Sequence, residues 1–386
     1  MSSAVSHSSC RTTSALICTL HRLALLAGVM FVFASLLTGC ALGGGATSQA
    51  QPTPTPVPLA LTFYSHLTSV VMRSPTEGWA VGFEYNDAPA QLLLLHYING
   101  AWQKVQAPAI ACAPQVMVMV SETEGWIAGG LTDDYSTQGI MLHGVNGHWR
   151  SVSLPAGTGK ITAMVMVSAG EGWAVANSSD SQRSEILHYT QGAWSVQYTV
   201  PDDSELMSVS MDSASDGWAA GIGLGHGALW HYSGGTWTRV LLNDPQGADL
   251  ERVVMVSATE GWGGGVIPLP MKLGDQAQPT GVAVWRYANG QWRVVKRDAR
   301  ARFNHLGAMQ AVSADEVWVS ETWESGEGFL HFANGIWLLV STPIRESIAS
   351  IAMTSAASGW AVGSSGQIMR YATGAWTDYP TGVPTN

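Results

Sequence analysis

Histidines recur at one position of a repeated pattern in this 386-residue sequence, and such a series could supply imidazole ligands to a metal ion. Zinc binds imidazole nitrogen at about 2.0–2.1 Å, so several rings would have to converge on one point. Each histidine belongs to a different copy of the repeat, and equivalent positions on different units point in different directions. We therefore expect a structural role, with no bound metal and no cofactor, for His96, His143, His188, His231 and His331.

A second set of chemically capable residues lies where the copies of the repeat differ. Tyrosine or tryptophan beside carboxylates suits stacking on a sugar or contact with a cationic patch of a protein. An ordinary polar loop remains the alternative for each residue. The candidate ligand- or partner-binding residues are Tyr85, Asp87, Asp133, Asp134, Tyr135, Glu321, Trp323 and Glu324.

The sequence holds no recognisable catalytic motif. We find no Gly-x-Ser-x-Gly, no His-Glu-x-x-His and no glycine-rich phosphate loop. Cys112 lies between two alanines, where a buried, inert thiol is expected. A formal net charge of −10 makes nucleic acid a poor partner. These observations favour a protein that is not an enzyme.

Two tryptophan positions define the repeat that must hold these residues. The first follows a Glu-Gly pair or a variant of it, as in Glu171-Gly172-Trp173, and recurs every 42 to 56 residues at Trp79, Trp126, Trp173, Trp218, Trp262, Trp318 and Trp360. The second follows a Gly-x pair at Trp102, Trp149, Trp194, Trp237, Trp292, Trp337 and Trp376. Two positions thus account for 14 of the 17 tryptophans, which indicates seven copies of one structural unit.

Each copy contains four short β-rich runs and no helical periodicity. In the third copy, we expect Gly172 to supply the positive φ angle of the first hairpin and Gly192 that of the second. A repeated unit of about 45 residues with four strands is typical of a β-propeller. We predict an all-β fold with seven four-stranded antiparallel blades over residues 60–380. The run Leu61–Tyr64 alternates like a strand and could join the last blade, so the mode of ring closure stays open.

The Glu-Gly-Trp-Ala-Val-Gly half-motif, followed by an apolar strand and Gly-x-Trp, resembles the repeats of BNR (Asp-box-like) propellers. It is most similar to those of the photosystem II stability and assembly factor type, as in Tyr232–Trp237. This resemblance implies a secreted scaffold that engages a protein or complex. Sialidases use related repeats, so a carbohydrate-active enzyme is the rival hypothesis. That chemistry needs an arginine triad and a Tyr–Glu pair, for which we find no sequence counterpart.

The first 39 residues have the layout of a secretion signal, in which basic residues precede the uncharged run Leu23–Leu37. Leu37-Thr38-Gly39-Cys40 resembles the lipobox of bacterial lipoproteins, which implies cleavage before Cys40 and its lipidation. The alternative is an ordinary signal with an unrelated cysteine. Residues 40–59 are rich in Thr, Pro and Gly and predict a solvated tether.

The sequence therefore predicts a bacterial lipoprotein, held outside the cytoplasmic membrane by its lipid anchor and ending in a short tail over residues 381–386. Its propeller is expected to bind a protein or a glycan as a binding or assembly scaffold. A sialidase-like enzyme, a glycan-binding module and a sensor ectodomain are the alternatives. Because the copies build the scaffold, we expect function on the rim that carries the variable second-to-third and blade-to-blade loops.

Overall fold

The computed structural model describes residues 59–85, 89–132, 138–178, 183–223, 227–242, 244, 246–270, 280–299, 306–323, 326–343 and 347–382. The predicted signal, Cys40 and the tether up to residue 58 lie outside them. Pro56–Asn386 form one compact unit, and the hydrophobic clusters of the described residues all lie within it. The described residues contain no helix long and apolar enough to cross a membrane.

The described residues form 28 β-strands. They are β1 (Ser65–Ser74), β2 (Glu77–Glu84), β3 (Gln91–Ile98), β4 (Ala101–Lys104), β5 (Cys112–Met119), β6 (Glu124–Leu131), β7 (Gly139–Val145), β8 (His148–Ser151), β9 (Thr158–Ser168), β10 (Glu171–Ser178), β11 (Ser184–Thr190), β12 (Ala193–Thr199), β13 (Glu205–Met211), β14 (Asp216–Ile222), β15 (Ala228–Ser233), β16 (Thr236–Val240), β17 (Arg252–Ser257), β18 (Glu260–Pro268), β19 (Thr280–Ala288), β20 (Gln291–Asp298), β21 (Met309–Ser313), β22 (Glu316–Trp323), β23 (Gly326–Ala333), β24 (Ile336–Ser341), β25 (Ile348–Ser355), β26 (Ser358–Gly363), β27 (Ile368–Ala372) and β28 (Ala375–Asp378).

Every four consecutive strands form one antiparallel sheet, so the chain builds seven blades in sequence order. The first strand of each blade lies innermost and packs against the first strands of its neighbours, and β25 of blade seven meets β1 of blade one. This confirms the predicted all-β, seven-bladed propeller. The second-to-third and blade-to-blade connections lie on one rim, here called the loop rim, because consecutive strands run in opposite directions.

The repeated tryptophans fill the space between blades. Trp173 is fully buried, and its ring lies 4.6 Å from Tyr232 and 5.6 Å from Trp237 of the next blade, measured between centroids. Tyr232 and Trp237 occupy the third and fourth strands of that blade. The second tryptophan of one blade therefore packs edge-on against the first tryptophan of the blade before it, which is a favourable aromatic geometry.

Gly172 serves close packing and not the turn for which the sequence predicted it. Its φ angle is not positive, whereas Gln191 and Gly192 of the following hairpin have φ angles of 52° and 81°. A Cβ atom on Gly172 would overlap the Sδ atom of Met166 and lie 3.1 Å from the carbonyl oxygen of Val165. The prediction for Gly192 is correct, and that for Gly172 is wrong, because the first hairpin turns without a left-handed residue.

In blade six, the large residue of this pair lies on the second strand and the small residue on the first strand. Six blades pair a methionine of the first strand with a glycine of the second, as in Met166 and Gly172. Blade six pairs Ala311 with Val317 at these positions, and Val317 is fully buried. The departure of blade six from the Glu-Gly-Trp motif is therefore a compensated change of volume, which protein cores tolerate.

The ring closes without a shared strand, because blade one and blade seven each contain four strands of their own. None of residues 61–64 belongs to a strand, and Phe63 and Tyr64 lie in a turn in which the Ser65 N–H donates to the Thr62 carbonyl at 3.0 Å. Leu61 is buried in the cluster between these blades, and its N–H donates to the carbonyl of Thr381 at 2.8 Å. The Tyr379 hydroxyl accepts from the N–H of Trp102 at 3.1 Å. Side-chain packing and a few backbone contacts thus replace strand exchange.

Candidate functional site

Among the predicted loop-rim residues, the structure describes the side chains of Tyr85 and Glu321. Tyr85 is described, and 46% of its surface is exposed. Trp323 ends β22, but its side chain lies outside the described residues. The other predicted residues of the variable loops also lie outside them, namely Asp87, Asp133, Asp134, Tyr135 and Glu324.

Glu321 does not lie on an exposed loop as the sequence-based placement assumed. It is inside β22, paired with Gly328, and only 1% of its surface is exposed. It occupies the strand position that Gly82 holds in blade one, where the second strand passes close to the backbone that enters the first strand. Its burial removes this carboxylate from the surface that a partner could contact.

Tyr85 belongs to a group of aromatic side chains on the loop rim of blade one. We call Phe63, Tyr64, His66, Phe83 and Tyr85 the blade-one aromatic cluster. His66 stacks on Phe83 with centroids 5.2 Å apart, and Tyr85 meets Phe83 edge-on at 5.3 Å. Phe63 and Tyr64 contact each other at 6.0 Å, and their exposed fractions are 63% and 61%. The cluster therefore contains three exposed rings and two partly buried ones.

Strand pairing and a polar network fix the positions of these rings. His66 and Phe83 are partners across β1 and β2, and the N–H of Tyr85 donates to the carbonyl of Tyr64 at 3.2 Å. Beneath them the buried Ser65 hydroxyl donates to Glu84 at 2.9 Å, and Lys104 forms an ion pair with the same carboxylate. The backbone under the cluster is thus held by hydrogen bonds before any ligand binds.

Sequence reasoning found Tyr85 but missed its neighbours in the cluster. The alternation of Leu61 and Phe63 indicated a strand, yet Leu61 is buried and Phe63 is exposed on a turn. A comparison of the seven copies could have identified Phe83 from the sequence. Phe83 follows the strand position of Gly82, and the residues that follow this position in the other copies are Gly130, Asn177, Ile222, Val266, Thr322 and Ser364, none of them aromatic.

The repeated histidines form stacks inside single blades. Each ring lies parallel to the first tryptophan of its own blade, with centroids 3.6–4.1 Å apart and planes within 15–19°. Each Nε2 atom also lies 2.5–3.2 Å from a carboxylate of the same blade. In blade five Arg286 takes this place over Trp262 and bonds Glu260. Among the described residues, no group of histidine, cysteine and carboxylate side chains could hold a metal ion.

The first strands line an open pocket of about 180 Å³ at the propeller axis, and Arg252 is the one charged side chain among the described residues that line it. Arg252 donates from Nη1 to the carbonyl of Met207 at 3.1 Å and from Nε to the carbonyl of Gly307 at 3.3 Å. Burial lowers the pKa of Arg252, and the neighbouring Glu251 opposes this effect. The guanidinium therefore links the blades on either side of its own, and no second arginine lines this pocket among the described residues.

Comparison with known proteins shows structures with a similar fold and no matching family. No protein-family profile and no curated protein matches the chain. A structure of YCF48 bound to a D1 peptide has a TM-score of 0.57 and 16% sequence identity, covering 82% of this chain and 96% of that chain. At this level of sequence identity, the similarity shows the fold alone.

Two further structures with this fold are of proteins named for an enzymatic activity. Streptogramin B lyase has a TM-score of 0.57 and 13% identity, covering 84% of this chain and 96% of that chain. The GH74 xyloglucanase from Xanthomonas campestris has a TM-score of 0.61 and 12% identity, covering 84% of this chain and 56% of that chain. Propellers of similar shape thus occur in binding proteins and in enzymes, so the function of this chain has to be argued from its own residues.

Proposed function

We propose that this chain is a lipid-anchored, extracytoplasmic bacterial propeller that binds a segment of a partner protein through the blade-one aromatic cluster. Its role is that of a non-enzymatic binding or assembly scaffold. The exposed rings of Phe63, Tyr64 and Tyr85 carry this proposal, because the repeat does not require them and they are the exposed phenylalanine and tyrosine rings among the described side chains.

The chemistry of the cluster suits a protein segment. Aromatic side chains contribute large contact areas with few rotatable bonds, and tyrosine and tryptophan are enriched among residues that dominate binding energy. The hydrogen bonds beneath the cluster hold its backbone in place, which lowers the entropy lost on binding. The likeness to a propeller with a bound peptide supports the same class of ligand.

The N-terminal sequence supports the proposed location. Cys40 ends a lipobox-like sequence, and residues 41–58 provide a polar, proline-containing connection to the propeller. Lipidation at Cys40 would keep the propeller at the outer face of the membrane. Replacement of Cys40 by alanine tests the anchor: the protein should move from the membrane pellet to the soluble fraction, and retention in the pellet after this change would contradict lipidation.

Capture from native cell envelopes tests the binding role. The wild-type propeller and the variant Phe63→Ser, Tyr64→Ser, Tyr85→Ser are used as baits after crosslinking. Leu241→Ser with Val295→Ser serves as the matched control, because these side chains are also exposed, at 83% and 46%, but lie on the outer parts of blades four and five.

The wild type and the control should capture the same partner protein, and the triple variant should lose it. Equal capture by all three would refute the cluster as the binding site. Turnover or specific binding on a panel of glycans, lost in the triple variant, would replace the protein partner by a carbohydrate ligand.

A further inference from the structure

The outermost strand of each blade has one edge without a strand partner in the sheet. Such an edge is a template for another chain, and proteins blunt it by short strands, charges or β-bulges. β4, β8 and β28 have only four residues, β12 and β20 contain register shifts, and β16 carries Arg239. Six of the seven described outer strands therefore carry a recognised protective feature.

β24 of blade six has none of these features. It extends over six residues, Ile336–Ser341, without a charged side chain and without a register shift against β23. Its apolar side chains are exposed, with 59% for Ile336, 55% for Leu338 and 44% for Leu339. Ile336 and Leu338 lie on one face and Leu339 on the other, so the strand is apolar on both sides of its edge.

The register of β24 shows which backbone groups face outward. The N–H of Thr342 donates to the carbonyl of Glu327 at 3.2 Å, and this makes Glu327 and Thr342 a hydrogen-bonded pair. Hydrogen-bonded pairs alternate along an antiparallel ladder, so Val340, Leu338 and Ile336 also bond to β23. The N–H and carbonyl groups of Trp337, Leu339 and Ser341 consequently point away from the sheet.

We propose that β24 is a docking edge that accepts an extended, apolar segment of a partner protein as a fifth strand of blade six. Main-chain hydrogen bonds to Trp337, Leu339 and Ser341 would provide affinity, and Ile336, Leu338 and Leu339 would favour branched apolar side chains in the segment. This surface lies on a different blade from the blade-one aromatic cluster, and the proposal does not depend on that cluster.

A second copy of the chain fits this edge less well than a peptide segment. Two β24 strands paired about a two-fold axis would meet over about 20 Å and bury on the order of a few hundred Å², whereas stable interfaces bury about 1,200 Å² or more. Each copy also carries a formal net charge of −10, so two propellers repel each other. A single extended segment gains the same hydrogen bonds without bringing the two acidic bodies together.

The test measures binding of a fluorescent peptide to residues 56–386, the compact unit that contains all the described clusters. The probe is an eight-residue peptide of alternating threonine and valine with lysine at both ends. A second peptide of the same sequence, N-methylated at alternate residues, cannot add as a strand and is the control ligand. Fluorescence anisotropy should show binding of the first peptide and none of the second.

Two substitutions locate the binding edge. Leu339→Pro removes an outward N–H and spares the bonds to β23, so it should weaken peptide binding at least tenfold, whereas Leu339→Ala keeps the N–H and should weaken it much less. Thermal unfolding of each variant verifies the fold. Equal binding of both peptides to the wild type, or undiminished binding to a folded Leu339→Pro variant, would overturn the proposal. A wild-type dimer in light scattering that Leu339→Pro dissociates would assign the edge to a second copy instead.

Discussion

Two groups of aromatic side chains in this propeller have opposite relations to the repeat. Trp173 and His188 stack inside blade three, and every blade has a tryptophan with a histidine or arginine at the same two positions. Phe63, Tyr64 and Tyr85 lie exposed on the loop rim of blade one, and no other blade has an exposed phenylalanine, tyrosine or tryptophan ring among the side chains that the structure describes. Repetition therefore marks the scaffold, and departure from the repeat marks surfaces available for binding.

Truncation of a repeated tryptophan should produce the largest loss of stability. Trp173 is fully buried and contacts Tyr232 and Trp237 of the next blade. We expect Trp173→Ala to lower the free energy of unfolding by about 3–5 kcal/mol, because it removes these contacts and leaves a cavity. Urea unfolding followed by tryptophan fluorescence measures the effect, and a loss below about 1 kcal/mol would contradict a scaffold role.

Exchange of the paired small and large residues should give an intermediate effect that is reversible by a second change. A valine at Gly172 collides with Met166, and we expect Gly172→Val alone to cost about 1–3 kcal/mol through overpacking. Adding Met166→Ala reproduces the Ala311 and Val317 pair of blade six and should recover part of that loss. Chemical unfolding of the two single variants and the double variant measures the coupling, and strict additivity would refute the compensation.

A smaller effect should appear as a dependence of stability on pH. Burial lowers the pKa of His331, although its hydrogen bond to Glu316 opposes the shift. The unfolded chain therefore binds the proton more readily, so this residue makes the protein less stable as pH falls below about 6.5. His331→Gln should flatten the decline of the melting temperature between pH 7.5 and 5.5. His148→Gln, at an exposed position, is the control, and an unchanged pH profile in His331→Gln would contradict the burial effect.

The smallest change in stability is expected at the blade-one rim. Phe63→Ser, Tyr64→Ser and Tyr85→Ser remove exposed rings, and each should alter the free energy of unfolding by no more than about 0.5 kcal/mol. Urea unfolding of the three single variants tests this beside Trp173→Ala. A loss of several kcal/mol at any of them would place the rim within the scaffold and remove the contrast with the interior.

The repeat made the architecture predictable from sequence, since Trp173 and its six counterparts recur with constant neighbours. Contacts between the strands of one blade were harder to predict from the sequence. The Met166 and Gly172 pair and the Trp173 and His188 stack depend on which residues face each other across strands, and this requires the register. The glycine was consequently assigned to a turn, although its role is to give space to a methionine.

The candidate site was predicted only in part, because its residues are brought together by features without a repeat. Tyr85 follows a strand and was found as a loop aromatic, but Phe63 and Tyr64 looked like part of a strand. Glu321 looked like a loop carboxylate because it follows a strand-like run, while the strand continues past it. Single positions in unrepeated segments do not contain the pairing information that the seven copies provide for the scaffold.

Site-specific photocrosslinking tests directly whether the blade-one aromatic cluster contacts a partner protein. A photoreactive phenylalanine derivative is placed at Tyr85 in one variant and at Val295, which is equally exposed on an outer strand, in the other. After illumination in native envelopes, crosslinked products are identified by mass spectrometry. We expect one defined protein to be crosslinked from Tyr85 and none from Val295. The same products from both positions, or none from Tyr85, would contradict a binding surface on the blade-one rim.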